Sequence, residues 1–237
     1  MSTSFFVYMH TYFYSGPIDK IIFLDKEESN HAVKVMRSRL NDKVAVINGK
    51  GIRAVGSITD LNARKCEIAI ESKVQETYSN APITLAIAPT KSNDRMSVVL
   101  EKATEIGVDI IVPLICNQNE RSKINLERWN RVVLAATKQS GRFWLPKICE
   151  PLSVKDFTTG CESYNKVIAY CEERPEANLL DVVDKSKSTT VLIGPEGDFT
   201  LEEVLEAESN GFIRVNLGSN RLRTETAGLV AVTLLKI

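Results

Sequence analysis

Through the first ~75 residues the apolar positions come in short runs and alternations that suit strands. Phe5-Phe6-Val7-Tyr8 and Lys20-Ile21-Ile22-Phe23-Leu24 predict two of them. Val44-Ala45-Val46-Ile47, a turn at Asn48-Gly49-Lys50-Gly51 and the run from Ile52 to Ile58 predict a hairpin, and Cys66-Glu67-Ile68-Ala69-Ile70 alternates apolar with polar. Asp25, three residues before Glu28, predicts the cap of one short helix through Met36. The expectation for residues 1–73 is a small β-barrel.

A polar stretch, Val74-Gln75-Glu76-Thr77-Tyr78-Ser79-Asn80, then breaks the pattern, and a different one follows over residues 80–237. Ile83 to Ala88 is a continuous apolar run. Ser92 begins a helix with Met96, Val99, Leu100, Ala103 and Ile106 on one face, and Gly107 ends it. Asp109 to Ile115 predicts a strand, and Leu126 to Ser140 a helix with Trp129, Val132, Val133 and Ala136 inward. Val167-Ile168-Ala169-Tyr170 predicts a further strand. Strand alternating with helix gives an α/β domain with a mostly parallel sheet covered on both faces.

The last third holds the candidate chemistry. Val191-Leu192-Ile193 is a doubly buried strand that ends in Gly194-Pro195-Glu196-Gly197, and Thr200-Leu201-Glu202-Glu203 is a capping box opening the next helix. Asn210-Gly211 stops that helix. Phe212 to Leu217 is the next strand and ends at Gly218, ahead of Arg223-Thr224-Glu225-Thr226-Ala227. Two glycine-terminated strand ends on neighbouring parallel strands face one crevice at the carboxyl edge of the sheet, where open α/β sheets bind ligands.

Composition narrows the classes. The 237 residues are 43% hydrophobic and 25% charged, which are globular values and leave room for one small and one medium domain. The five cysteines, Cys66, Cys116, Cys149, Cys161 and Cys171, are odd in number and lack a Cys-X-X-Cys pair, so neither a disulfide framework nor a zinc site is expected. No apolar run approaches a membrane span and no signal segment opens the chain, so a cytoplasmic protein without membrane or metal is expected. The P-loop, nucleophile-elbow, zincin and dinucleotide-fingerprint motifs are all missing, and His10 and His31 are the only histidines. Net charge is zero, yet residues 1–73 carry 11 Lys and Arg against 8 Asp and Glu. Between Asn30 and Arg53, Lys34, Arg37, Arg39, Lys43, Lys50 and Arg53 face only Asp42. That is either a phosphate-binding face or a solvated rim.

The wording of several segments is more specific than their pattern. IGPEGDFT followed by LGSNRLRTETA resembles the C-terminal signature of the 16S ribosomal RNA uridine N3-methyltransferase family (RsmE), a branch of the knotted SPOUT methyltransferases. Ala88-Pro89-Thr90-Lys91 with Arg95-Met96, Glu101 to Val108, Asn119-Glu120-Arg121-Ser122, Glu127-Arg128-Trp129 and Lys138-Gln139-Ser140-Gly141-Arg142 resemble its earlier segments in order. His31 to Arg37, with Asn41-Asp42-Lys43-Val44 and Asn48 to Gly51, resembles its N-terminal PUA-like domain. Two departures stand out. Asp198 occupies a position where the family commonly has a second glycine, and Ser219-Asn220-Arg221 replaces the frequent Pro-Arg-aliphatic.

The resemblance implies a PUA-like RNA-binding barrel over 1–73 and a trefoil-knot SPOUT domain over 80–237 that binds the cofactor and dimerises. It implies S-adenosylmethionine held by Leu192, Ile193, Gly194, Pro195, Glu196, Gly197, Leu217, Gly218, Arg221, Leu222, Arg223, Thr226 and Ala227. It implies 16S rRNA or the small ribosomal subunit as partner, with RNA contacts at Lys34, Arg37, Arg39, Lys43 and Arg121, and a homodimer. Uridine N3 is a weak acid, so the site must favour its anion. Arg223, then Arg142, are the expected guanidiniums, with Glu225 orienting Arg223 or assisting proton removal; a first-turn helix carboxylate is the alternative for Glu225. Two rival functions stay open: a SPOUT ribose 2′-O-methyltransferase, and a non-catalytic RNA-binding ribosome-assembly factor.

Overall fold

The computed structural model describes residues 9–119, 124–171 and 177–237. The expected strand at Phe5–Tyr8 and the expected RNA contact at Arg121 lie outside the described residues. The chain divides into two compact units, residues 1–78 with 137–145, and residues 79–136 with 146–237.

The first unit is a five-stranded mixed sheet, a half-barrel. Its elements are β1 (Thr11–Phe13), β2 (Ile21–Phe23), α1 (Lys26–Asn30), β3 (Lys43–Ile47), β4 (Ile52–Asp60) and β5 (Glu67–Gln75), and the sheet order is β1-β3-β4-β5-β2. Only β1 and β3 pair in parallel. The long β4-β5 pair shifts register at Val55/Gly56 and at Ile58/Asp60. Gly56 sits at the first shift, where a Cβ would lie 2.4 Å from the carbonyl oxygen of Ala69, so two backbones meet with no room for a side chain. Tyr12, Ile22, Leu24, Val44, Val46, Ile58 and Ile68 fill the concave face.

Asp25 caps α1 by accepting from the amide of Glu28 at 2.8 Å. Beyond Asn30 the helix does not continue as an α-helix to Met36. Residues His31–Val35 widen into a π-helical turn, closed by the Met36 amide on the His31 carbonyl, and Arg37 follows at φ 52°. Residues 137–145 add a strap to this unit. The Leu145 amide bonds Gly49 O, the Gly51 amide bonds Phe143 O, and Lys138 Nζ lies 2.5 Å from the buried Glu28 carboxylate.

The second unit is an α/β sheet. In chain order it holds β6 (Ile83–Ile87), α2 (Asn93–Ile106), β7 (Ile110–Ile115), α3 (Leu126–Ser140, whose last turn belongs to the first unit), β8 (Lys147–Ile148), β9 (Leu152–Ser153), α4 (Val154–Thr159), β10 (Asn165–Ala169), α5 (Leu179–Val182), β11 (Thr189–Ile193), α6 (Leu201–Ser209), β12 (Ile213–Val215) and α7 (Thr224–Lys236). The sheet order is β12-β10-β11-β6-β7-β8, with β9 also on β7, and every pairing is parallel. Every residue of β6 and β11 is buried, as their unbroken apolar runs require when helices cover both faces. Ala86, Leu114, Ile168, Leu192, Phe199 and Phe212 form the core on one side. On the other, α7 packs against α2 and over β6 and β11. This order brings the carboxyl ends of β10, β11 and β12 side by side.

Candidate active site

A cavity of about 680 Å³ opens where those three strands end. Its walls come from Ala169 to Cys171 at the end of β10, from Ile193 to Glu196 and Asp198 at the end of β11, from Val215 to Arg223 at the end of β12, from the first turn of α7, and from Arg95 on α2.

Local bonds hold the β11 wall in shape. Thr200 caps α6 through its hydroxyl, and Glu203 returns the bond to the Thr200 amide at 2.8 Å while its other oxygen accepts from the Asn117 amide at 2.8 Å. Thr224 donates its hydroxyl to Gly194 O at 3.0 Å, which ties the start of α7 to the end of β11. Asp198 has φ 63°, in the left-handed region that glycine visits freely and that Asp tolerates better than most residues. Its carboxylate accepts from the Phe199 amide at 2.8 Å and the Cys171 amide at 2.9 Å. The Asp at this position therefore keeps a glycine-like backbone and adds two bonds, one of them to the β10 wall. Across the cavity Gly218 lies at φ 128°, a conformation open in practice only to glycine.

Most of the residues expected to hold a cofactor line this cavity: Ile193, Gly194, Pro195, Glu196, Leu217, Gly218, Arg221, Leu222, Arg223 and Ala227. Three do not. Leu192 points into the core and is fully buried, because the side chains of a strand alternate and Ile193 takes the cavity side. Thr226 is exposed on α7 away from the wall. Gly197 is exposed, and a Cβ there would meet the end of the flexible Gln118 side chain rather than backbone, so its bareness is not what shapes the cavity. The wall residues not anticipated are Arg95, Ala169, Tyr170, Cys171, Asp198, Val215, Asn216, Ser219, Asn220 and Thr224.

Arg223 stands at the N-cap of α7 and makes no side-chain cap bond. Glu225 turns to Arg95, with Oε1 at 3.8 Å from Nε, and its Oε2 is buried without a hydrogen-bond partner among the described residues. Arg142 lies in the strap of the first unit, its amide on Thr137 O. In that unit Lys34, Arg37 and Arg39 are exposed, whereas Lys43 pairs with Glu71. Lys43 and the Ser57 hydroxyl hold the Glu71 carboxyl below the usual carboxylate range. Burial, with Asp198 nearby, pushes the Cys171 thiol up, and the Arg221 charge opposes the shift.

The cavity suits a nucleoside-sized guest. Its volume falls within the roughly 300–1,000 Å³ of small-molecule sites, and its lining mixes apolar residues such as Ile193, Val215 and Leu217 with polar ones such as Glu196 and Asn216. Among the described residues no group of three or more His, Cys, Asp or Glu gathers as metal ligands do, and no helix is long and apolar enough to cross a membrane.

Known proteins supply the rest. A family profile described as an RNA methyltransferase domain matches residues 77–236, and one described as an RNA methyltransferase PUA domain matches residues 24–71. The ribosomal RNA small subunit methyltransferase E of Rickettsia conorii is 30% identical over 222 residues, covering 91% of this chain and 89% of that protein. The chain belongs to the ribosomal RNA small subunit methyltransferase E family. Among solved structures, the family member of Neisseria gonorrhoeae bound to S-adenosylmethionine superposes with a TM-score of 0.86 at 29% identity, covering 96% of each chain. A Legionella pneumophila protein described as a methyltransferase, with S-adenosylmethionine bound, reaches a TM-score of 0.88 at 26% identity and 97% coverage of each chain. Methyltransferase E relatives therefore share both units, the PUA-type half-barrel and the SPOUT α/β domain.

Proposed function

We propose that this protein transfers the methyl group of S-adenosylmethionine to N3 of a uridine in 16S ribosomal RNA. The observation that carries the reading is the backbone-walled cavity at the ends of β10, β11 and β12, in a chain that matches methyltransferase E relatives over nearly its whole length. Ile193 to Glu196, Asp198 and Leu217 to Leu222 would hold the donor, which supplies an electrophilic methyl group when bound. The chain's own task is then to orient the acceptor and favour its anion.

The walls favour base over ribose chemistry. No His or Lys is among the described residues that line the cavity, its carboxylates Glu196 and Asp198 are weak bases, and a guanidinium does not accept protons. A ribose hydroxyl is a very weak acid and needs a strong base beside it. Uridine N3 ionises far more readily, and fixed positive charge suffices to favour its anion. Arg223, on the wall, is proposed to act on that charge, with Arg142 as a second guanidinium for the acceptor. Lys34, Arg37 and Arg39 on the half-barrel, with Lys43 and Arg121, are proposed to hold RNA phosphates. A cytoplasmic homodimer joined through the α/β units completes the reading.

The test is transfer from labelled donor to undermethylated small subunits or their RNA, followed by nucleoside digestion. N3-methyluridine is expected. A 2′-O-methyl nucleoside would establish the ribose rival, and RNA binding without transfer would establish the assembly-factor rival.

A further inference from the structure

We propose that Arg95, held beside Glu225, is a further guanidinium that stabilises the ionised target base alongside Arg223, which rests on the uridine N3 reading above. Three cations line the cavity: Arg95, Arg221 and Arg223. They differ in how they are held. The side chains of Arg221 and Arg223 carry no ion pair among the described residues, whereas Arg95 has a carboxylate beside it, 3.8 Å away, whose side chain is 17% exposed. A charge stabilises a transition state most when it is fixed before the reaction begins, because then no reorganisation is needed as charge develops.

The geometry of the pair also leaves the working end of Arg95 available. The shortest approach to Glu225 is through Nε at 3.8 Å, and neither Nη group has a hydrogen bond to a carboxylate among the described residues. Glu225 Oε2 is buried and unfilled, which gives the carboxylate spare acceptor capacity and keeps a cation beside it. A pair this exposed on one side adds little stability, so its effect is read in the field it sets beside the cavity. Arg95 also stands apart in origin: it is the wall residue contributed by α2, while the others follow β10, β11 and β12 or open α7.

In the reaction the N3–H bond breaks and the proton leaves to solvent. The N3 electron pair then forms the new N–CH3 bond as the donor's S–CH3 bond breaks, and a neutral sulfide departs. Negative charge in the ionised base spreads onto O2 and O4. The Arg95 fork donates to one of these carbonyl oxygens and leaves the in-plane N3 electron pair open to the methyl group.

The prediction uses RNA in which the target uridine is 5-fluorouridine, whose N3–H is more acidic. With ordinary RNA, Arg95→Ala should lower kcat on the order of 10²–10³-fold, the usual loss for one charge-stabilising donor, while calorimetry shows donor affinity within a few-fold of wild type. With 5-fluorouridine RNA or at raised pH the deficit should shrink toward tenfold, and Arg95→Lys should recover part of it. Glu225→Gln should lower kcat by about tenfold and add nothing to Arg95→Ala in the double variant.

An equilibrium readout accompanies the kinetics. Fluorine NMR of the complex with S-adenosylhomocysteine should show N3 ionising about one to three pH units lower than in free RNA, and Arg95→Ala should return it toward the free value. A deficit that is equal for both RNAs, or an N3 midpoint that Arg95→Ala does not move, would overturn the assignment. Wild-type protein that yields no N3-methyluridine would instead overturn the function it rests on.

Discussion

Asp198 offers the sharpest test of how the donor wall is built. Its carboxylate bonds the amides of Phe199 at 2.8 Å and Cys171 at 2.9 Å, and its backbone sits at φ 63°. Charge-assisted bonds of this kind contribute about 1.5–3 kcal/mol each when well buried, and the exposed setting of Cys171 puts its share at the low end. An ordinary side chain in the left-handed region costs a further 1–2 kcal/mol or so. Asp198→Ala should therefore lose about 4–6 kcal/mol. Asp198→Gly removes the same bonds but not the backbone fit, and should be more stable than Ala by about 1 kcal/mol after allowing for the freedom glycine gains when unfolded. Asp198→Asn keeps an acceptor and tolerates the backbone, so about 1–2 kcal/mol is its expected loss. The two tryptophans divide the assay conveniently, since Trp129 lies in the second unit and Trp144 in the first. In a Trp144→Phe background, urea unfolding followed by Trp129 fluorescence should rank the variants Asp, Asn, Gly, Ala. If Ala matches Gly, the strain argument fails. If Gly matches Asp, the carboxylate bonds are not what holds the wall.

Gly218→Ala has no side-chain clash to relieve, since nothing lies within 4 Å of its Cβ, so its cost is the φ of 128°. That strain of about 1–3 kcal/mol should appear as weaker donor binding by calorimetry, about 5- to 150-fold if the loop gives way. Cys171 lines the cavity and should alkylate in the native protein more slowly than an ordinary thiol near pH 8, because its thiol is pushed up; S-adenosylhomocysteine should protect it. Cys116, whose thiol burial pushes far above the ordinary range, should stay unlabelled until unfolding, as mass mapping would show. Arg37→Ala and Arg39→Ala should each flatten the dependence of log RNA affinity on log salt by about 0.7–0.9, while Lys43→Ala, already paired with Glu71, should flatten it less. Glu71 has a depressed folded-state value, so its contribution to the half-barrel is present above the usual carboxylate range and is lost as pH falls through that lower value; Glu71→Gln should make acid unfolding less steep.

Much of this arrangement can be read from short-range signals. The caps at Asp25, Ser92 and Thr200 form as their side chains dictate, and the apolar runs of β6 and β11 are buried on both faces. What escapes the sequence pattern is of two kinds. Some is long-range: Arg95 reaches the cavity only because the parallel order sets β6 beside β11, so the start of α2 comes to loops about a hundred residues later. The strap at 137–145 is similar. The 3.6-residue period runs unbroken through Ser140 and gives no sign that the last helical turn joins the half-barrel. The rest is local but degenerate. Three consecutive buried residues, Val191 to Ile193, do not reveal which one faces the cavity, and Gly197 looks like Gly194 in the chain although their surroundings differ. Around Gly194 a Cβ would press on the fully buried Phe199 ring at 3.0 Å, which cannot yield as the Gln118 side chain can.

The two halves of the proposed substrate machinery are prepared for their ligands in opposite ways. Around the donor cavity the glycine-rich wall is braced at each turn, by Thr224 on Gly194 O, by Asp198 on two amides and by Glu203 on Asn117 and Thr200. A guest entering such a wall orders little, so changes there should alter affinity and unfolding together. Lys34, Arg37 and Arg39 stand exposed on a π-helical turn and the loop after it, with long side chains that phosphate contacts would have to order. Their contribution should therefore be mostly Coulombic, large at low salt and small for stability. Arg95 falls between the two, a largely exposed side chain with a carboxylate near its Nε. A cation serving only to attract RNA would not need the Glu225 carboxylate beside it, and a merely structural pair would not need to line the cavity.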